Sequence, residues 1–167
     1  TRTQAIIDDG LATTQTFYSP NSQVVRTVDD RGNETLTWYD TANRRRTVTD
    51  AMGNTITYGY DGNSNVVRIS EAEKHDLGTL DETFVTLNEY DALDRLITTK
   101  DNLLNTNRSY YDSCNNRMKT VDALSHEVRY VYDGLYRLLR TVRDMDGDGA
   151  DPASTTDGMT ELDIVTA

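Results

Sequence analysis

Cysteine, proline and histidine are scarce in this chain, and no long hydrophobic run occurs. One cysteine, Cys114, among 167 residues excludes an internal disulfide and a cysteine-only zinc site. Two prolines against ten glycines argue against collagen and against a proline-rich disordered segment. The two histidines, His75 and His126, lie far apart and in no motif, and read as surface or turn residues. Basic residues are also few: 17 against 28 acidic ones, a formal net charge of -11 and a pI near 4.5. That balance speaks against nucleic acid as a partner, because phosphate binding needs clustered Lys and Arg. No apolar run approaches the ~18 residues a bilayer crossing needs, so no membrane span is expected. Hydrophobic residues make up only 36%, which leaves little for a thick core.

Tyrosine, by contrast, is plentiful: ten copies against two Phe and one Trp. Five of them stand in Tyr-Asp pairs, at Tyr39-Asp40, Tyr60-Asp61, Tyr90-Asp91, Tyr111-Asp112 and Tyr132-Asp133. The steps between them are 21, 30, 21 and 21 residues. Tyr18, 21 residues before Tyr39 and followed by Ser19, is a degenerate sixth copy. The step of 30 is one period plus a nine-residue insertion, 72–80. Six units follow, 9–29, 30–50, 51–71, 81–101, 102–122 and 123–143, each with tyrosine in tenth place. The fifteenth place reads Gln23, Arg44, Asn65, Arg95, Asn116 and Arg137, always polar.

Within a unit the period is two. Ile56, Tyr58 and Tyr60 fall on one strand face, as do Val128, Tyr130 and Tyr132. Thr, Val, Ile and Tyr supply strand composition, and turns such as Arg31-Gly32-Asn33 and Met52-Gly53-Asn54 separate the strands. The Asp after each tyrosine can fold its carboxylate onto backbone N–H groups two residues on. The fold class expected is all-β: consecutive antiparallel hairpins in one continuous, curved or spiralling sheet. Equivalent tyrosines would then recur roughly every 9.6 Å along one face as a structural ladder.

With five Tyr-Asp pairs in register, segments such as Asp94-Arg95-Leu96 and Tyr136-Arg137-Leu138, and the Gly32-Asn33 and Gly53-Asn54 turns, the sequence resembles the YD-repeat or RHS-repeat family over about 9–143. That resemblance implies long hairpins wound into a hollow shell, as in toxin-complex components, polymorphic toxins that encapsulate cargo, and teneurin-like surface proteins. The lone Asp151-Pro152 lacks the Asp-Pro-x-Gly context of the family's autoprocessing region, so no self-cleavage is expected.

After the last unit a second insertion, about 144–160, opens with Asp144-Met145-Asp146-Gly147-Asp148-Gly149-Ala150-Asp151. Asp144, Asp146, Asp148 and Asp151 match the start of a calcium loop, but Thr155 stands where an EF-hand needs its closing Glu. Two readings stay open, a looser Ca²⁺ loop and a solvated acidic turn at an exposed insertion. No other cofactor is expected.

No Ser/His/Asp or Cys/His arrangement and no phosphate-cradling glycine loop stands apart from the repeat, so the chain is read as non-catalytic. The function expected is the wall of a hollow β-shell or tube that encloses or displays cargo. The alternative is an extracellular adhesin or carbohydrate-binding sheet using exposed tyrosines. Either places it secreted or at a cell surface. Partners expected are further YD repeats of the same chain or identical subunits joined edge to edge, with an enclosed polypeptide or glycans besides.

Overall fold

The computed structural model describes residues 12–74 and 81–144, together with the backbone of 164–166. It is all-β, and no helix occurs among the described residues. The chain falls into two compact units, Thr1–Val85 and Thr86–Ala167.

In the first unit β1 (Thr14–Tyr18), β2 (Val24–Asp29), β3 (Glu34–Tyr39), β4 (Arg45–Thr49), β5 (Thr55–Tyr60) and β6 (Val66–Glu73) pair antiparallel in chain order. Strand β7 (Glu82–Tyr90) runs into the second unit, where its residues from Leu87 to Tyr90 pair with β8 (Leu96–Lys100). From there β9 (Thr106–Tyr111), β10 (Arg117–Val121), β11 (Glu127–Tyr132), β12 (Leu138–Asp144) and β13 (Ile164–Thr166) follow in the same way. The expected succession of antiparallel hairpins is therefore the observed one.

Each hairpin whose connection lies among the described residues closes through the same five-residue turn, and this explains why strands and turns alternate so closely. In the turn at Asp29, the Gly32 N–H donates to the Asp29 carbonyl at 3.0 Å and the Asp29 N–H donates to the Asn33 carbonyl at 3.0 Å. The fourth residue takes the left-handed conformation, as a type I turn with a following bulge residue requires. Gly32 (φ 82°) and Gly53 (φ 89°) do so without strain, since they carry no Cβ. Leu104 (φ 68°) and Tyr136 (φ 61°) do so against their preference, so the lack of glycine in 103–105 and 124–126 does not abolish the turn.

The Tyr-Asp hairpins carry a second irregularity. Trp38 faces Thr47 while Tyr39 faces Arg45, leaving Arg46 as an extra residue. The same shift falls just before Tyr18, Tyr60, Tyr90, Tyr111 and Tyr132. A period of 21 is odd, and in an unbulged ladder closed by these turns equivalent residues would alternate between faces. The extra residue restores parity, so within each of the two compact units the Tyr-Asp tyrosines face the same side. It also makes the units slide. Leu36 lies level with Thr49, and Thr49 with Thr55, whereas the repeat equivalent of Leu36 is Thr57. The two-residue slide is roughly 6.7 Å, so the tyrosines form a slanted row at roughly 12 Å spacing in place of the straight 9.6 Å ladder.

The sheet is one layer thick. Among the described residues only Val142 and Asp144 are buried. The tyrosine face carries Ile56, Tyr58 and Tyr60, as the period-two pattern requires, with Tyr58 opposite Ile69. The other face carries Phe17 opposite Arg26 and Trp38 opposite Thr47 in the first unit. In the second unit the face away from Tyr111 carries Tyr110 opposite Lys119. Packing on both faces is pairwise, between cross-strand neighbours.

Candidate functional site: the Tyr-Asp edge

Chemistry concentrates where the strands turn. After each tyrosine, the Asp carboxylate collects three donors. Asp40 Oδ1 accepts from the N–H of Ala42 and of Arg44, both at 2.9 Å, and Oδ2 accepts from Arg44 Nε at 2.8 Å. At Asp61 the N–H groups of Asn63 and Asn65 lie at 2.9 Å and Asn65 Nδ2 at 3.0 Å. Asp91, Asp112 and Asp133 repeat the arrangement. Hydrogen bonds to the ionised form hold these carboxyls below their ordinary range, chiefly the Asn65 side chain at Asp61 and the Arg44 backbone at Asp40. At Ser19 a hydroxyl replaces the carboxylate and accepts only from the Gln23 N–H, at 3.2 Å.

Three of the fifteenth-position residues, Gln23, Arg44 and Arg95, join one turn to the next. From its own aspartate, Arg44 extends Nη1 to the Asp61 carbonyl at 3.3 Å and to Ser64 Oγ at 3.1 Å. Its guanidinium lies over the Tyr60 ring, 4.3 Å from the centroid. Arg95 does the same, reaching the Asp112 carbonyl at 2.8 Å and stacking 4.7 Å from Tyr111. Gln23 Nε2 reaches the carbonyl and side-chain oxygens of Asn43, each at 3.3 Å. The planar fork of arginine suits this double task better than an amide does.

The tyrosine hydroxyls tie back in the opposite direction. Tyr39, Tyr60, Tyr111 and Tyr132 donate to the carbonyls of Val24, Arg45, Leu96 and Arg117, at 3.0, 2.7, 3.3 and 3.1 Å. Each acceptor is the residue opposite the tyrosine of the preceding unit or of Tyr18, beside the bulge.

Shallow grooves lie between neighbouring strands among the described residues. One of about 340 Å³ is lined by Arg95, Tyr110 and Tyr111. Another of about 540 Å³ is lined by Asn107, Thr120, Tyr130, Thr141 and Arg143. A further one, of about 360 Å³, lies in the first unit between the Asp29 and Asp50 turns.

The remaining sequence readings fall as follows. Asp144 ends strand β12, is buried, and sits opposite Glu127. Asp146, Asp148 and Asp151 lie outside the described residues, as does most of the 72–80 insertion and the rest of 144–160. Strand β6 itself extends through Glu73. Among the described residues no group of three or more His, Cys, Asp or Glu is placed to hold a metal. Cys114 is exposed in the Asp112 turn, its Sγ 3.5 Å from the Tyr136 hydroxyl.

Sequence reasoning missed four aspartates. Asp29, Asp50, Asp101 and Asp122 build the same cradle at the opposite edge, with Asn33, Asn54, Asn105 and His126 as partners. The signal was present: an Asn or His stands four residues after each of these aspartates, just as Arg or Asn does after the paired ones. The true structural repeat is a half-unit of ten or eleven residues.

Comparison with known proteins agrees with this geometry. Residues 39–75 match the family model described as RHS Repeat. The fold is similar to that of a solved structure titled "Crystal Structure of TcdB2-TccC3-Cdc42", with a TM-score of 0.65 and 19% identity, covering 82% of this chain and 7% of that one. A structure of TcdB2-TccC3 without its hypervariable C-terminal region matches at a TM-score of 0.42 and 15% identity, over 81% and 10% of the two chains. A comparison with curated protein sequences returned no match. The resemblance to RHS repeats read from the Tyr-Asp pairs thus holds, and the fold is that of a segment of such a repeat protein. The chain spans less than a tenth of the length of the first of these neighbours.

Proposed function

We propose that this chain is a non-catalytic wall segment of an RHS/YD-repeat protein, part of a hollow shell or tube that encloses or displays polypeptide cargo outside the cell. The observation that supports it is the one-layer sheet, in which burial stops at Val142 and Asp144 among the described residues and cohesion comes from turn-to-turn ties at the edge. Such a sheet extends by adding hairpins and separates two compartments without needing a core. The similar fold in the TcdB2-TccC3-Cdc42 structure, where the match covers 7% of a much longer chain, is in keeping with a segment of a longer repeat array.

Limited proteolysis of the full natural chain tests it. Polypeptide enclosed by the wall resists protease, and Arg44→Ala combined with Arg95→Ala opens the wall and exposes it. Equal cleavage before and after those substitutions would overturn the proposal.

A second reading is a glycan-contacting extracellular sheet. It is favoured by the groove lined by Arg143, Asn107, Thr120 and Tyr130, whose ring already carries the Arg117 guanidinium 4.8 Å from its centroid. Glycan-array binding abolished by Tyr130→Ala, with the fold intact, would select it. In either reading the Asp144–Asp151 run is proposed as a Ca²⁺ loop. Calorimetric titration showing no binding at millimolar Ca²⁺ would sink that part.

A further inference from the structure

On the face away from the tyrosines, the residue before each bulge meets a partner across its hairpin, and in two hairpins that pair is aromatic and cationic. Arg26 lies over Phe17 at 4.8 Å, and Lys119 over Tyr110 at 4.9 Å, from the ring centroids. The other two hairpins of the first unit split this pair between them. Trp38 meets Thr47, which leaves a ring without a cation. Arg68 meets Gly59, which leaves a cation without a ring. Trp38 is 49% exposed, and among the described residues its indole N–H has no hydrogen-bond partner.

Between the two stands Arg46, the extra residue of its bulge, where the other bulged hairpins carry Val25, Val67, Ile97, Met118 or Leu139. Arg46 reaches over to β5, and its Nη1 donates to the Tyr58 carbonyl at 3.1 Å, one residue from Gly59. From the other side Arg68 crowds the same spot: a Cβ on Gly59 would come within 3.2 Å of the Arg68 Cβ. Two arginines thus flank a stretch of bare backbone. Among the described residues neither has a carboxylate partner, whereas Arg26 is paired with Glu34 and Arg44 with Asp40. The repeat does not ask for this, since other hairpins are built with Phe17 or Val131 before the tyrosine.

An open indole beside two arginines without acidic partners, in a chain of net charge -11, calls for an anion that carries an apolar neighbour. Thr57 lies opposite Thr47, and Gly59 is two residues further along β5 on the same face. That places the Gly59 notch roughly 12 Å from Trp38, a distance that three or four residues of extended chain span at roughly 3.4 Å each. We propose that Trp38, Arg46 and Arg68 form a docking site for an extended acidic peptide. A proline or other apolar residue packs on the Trp38 ring, and a Glu or Asp three or four residues along sits in the Gly59 notch between the two arginines. One open ring followed by an anion seat without an aromatic floor suits a chain of differing side chains better than a repeating saccharide. The site goes beyond the wall reading and does not depend on it.

Trp38 is the sole tryptophan of the chain, so its fluorescence reads the site directly. The probe is the tryptophan-free, acetylated and amidated peptide Ser-Pro-Ser-Ser-Glu-Glu-Ser, titrated into the 167-residue chain by fluorescence and by calorimetry. A saturable change in emission is expected. Binding should weaken roughly tenfold when Gln-Gln replaces Glu-Glu in the probe, or when Ala replaces its Pro. Arg46→Gln combined with Arg68→Gln should weaken it by a similar factor, as should Trp38→Ala read by calorimetry, each with an unchanged far-ultraviolet dichroism spectrum. Arg108→Gln, which removes a cation from the second unit, should leave it unchanged. Equal binding of the Glu-Glu and Gln-Gln probes would overturn the site, as would silence in both measurements at millimolar peptide. Oligogalacturonate binding more tightly than the peptide through the same three residues would overturn the peptide as its occupant.

Discussion

The hydroxyl of Tyr60 donates a 2.7 Å hydrogen bond to the backbone carbonyl of Arg45, the residue that faces Tyr39 across the preceding hairpin. One tyrosine is thereby fastened to the bulge that orients another. Repeated through the array, this bond makes the tyrosine column a chain of ties as well as an apolar surface. Tyr60→Phe keeps the ring under Arg44 and removes only the tie. It should cost about 0.5–1 kcal/mol, read as a lowered denaturant midpoint. Tyr58→Phe, on the same face, serves as the comparison, since its hydroxyl makes no such tie among the described residues; an equal loss there would show that the hydroxyl tie is not the cause.

The Ser19 turn is a natural experiment on the aspartate. There the hydroxyl accepts one N–H, where Asp40 accepts two and an Arg side chain besides. Ser19→Asp should therefore raise the stability of the β1–β2 hairpin, seen as slower amide exchange from Thr14 to Asp29. No change in exchange would mean that the carboxylate cradle is not limiting at this turn.

Acid should act on all the turns together. The carboxyls of Asp29, Asp61, Asp91, Asp101 and Asp112 are held below their ordinary value first by the side chain four residues on. A group whose folded pKa is depressed adds stability above its unfolded pKa, near 3.9, and that stability is lost as pH falls through the folded pKa. Unfolding monitored from pH 6 downward should thus begin as the pH passes below roughly 5 and steepen below 4. Replacing Asp61 and Asp112 by Asn should flatten the slope. A slope unaltered by these changes would assign the acid sensitivity elsewhere.

Strain sits at Leu104, which holds φ 68° with its side chain 69% exposed. Leu104→Gly removes a Cβ from a left-handed residue and buries nothing less. The gain expected is about 0.5 kcal/mol after the entropy glycine adds to the unfolded chain. Gly32→Ala, the reverse change at φ 82°, should destabilise even though its Cβ would meet open space.

Much of this was readable in the sequence because the repeat is local. Tyr-Asp spacing, the period-two faces and the turn role of Asp40 or Asp61 depend on contacts within one hairpin. The slide between units was not readable. It arises from single extra residues such as Arg46 and Met118, whose side chains look like ordinary strand members. The forward reach of Arg44 was hidden for the same reason, since its target at Asp61 is set by that slide. Asp29 and Asp50 were missed for another reason: without a preceding tyrosine, they looked like the ends of units. The acidity of the chain reports in part this second set of cradles.

The account stands or falls on adjacent turns being bound to one another, and the pair Arg95 and Tyr111 measures this most directly. A double-mutant cycle with Arg95→Ala and Tyr111→Leu, read by denaturant unfolding, should give a coupling of about 1 kcal/mol for the stacked pair at 4.7 Å. A coupling indistinguishable from zero would show that the units merely lie side by side, contradicting a wall held together along its Tyr-Asp edge.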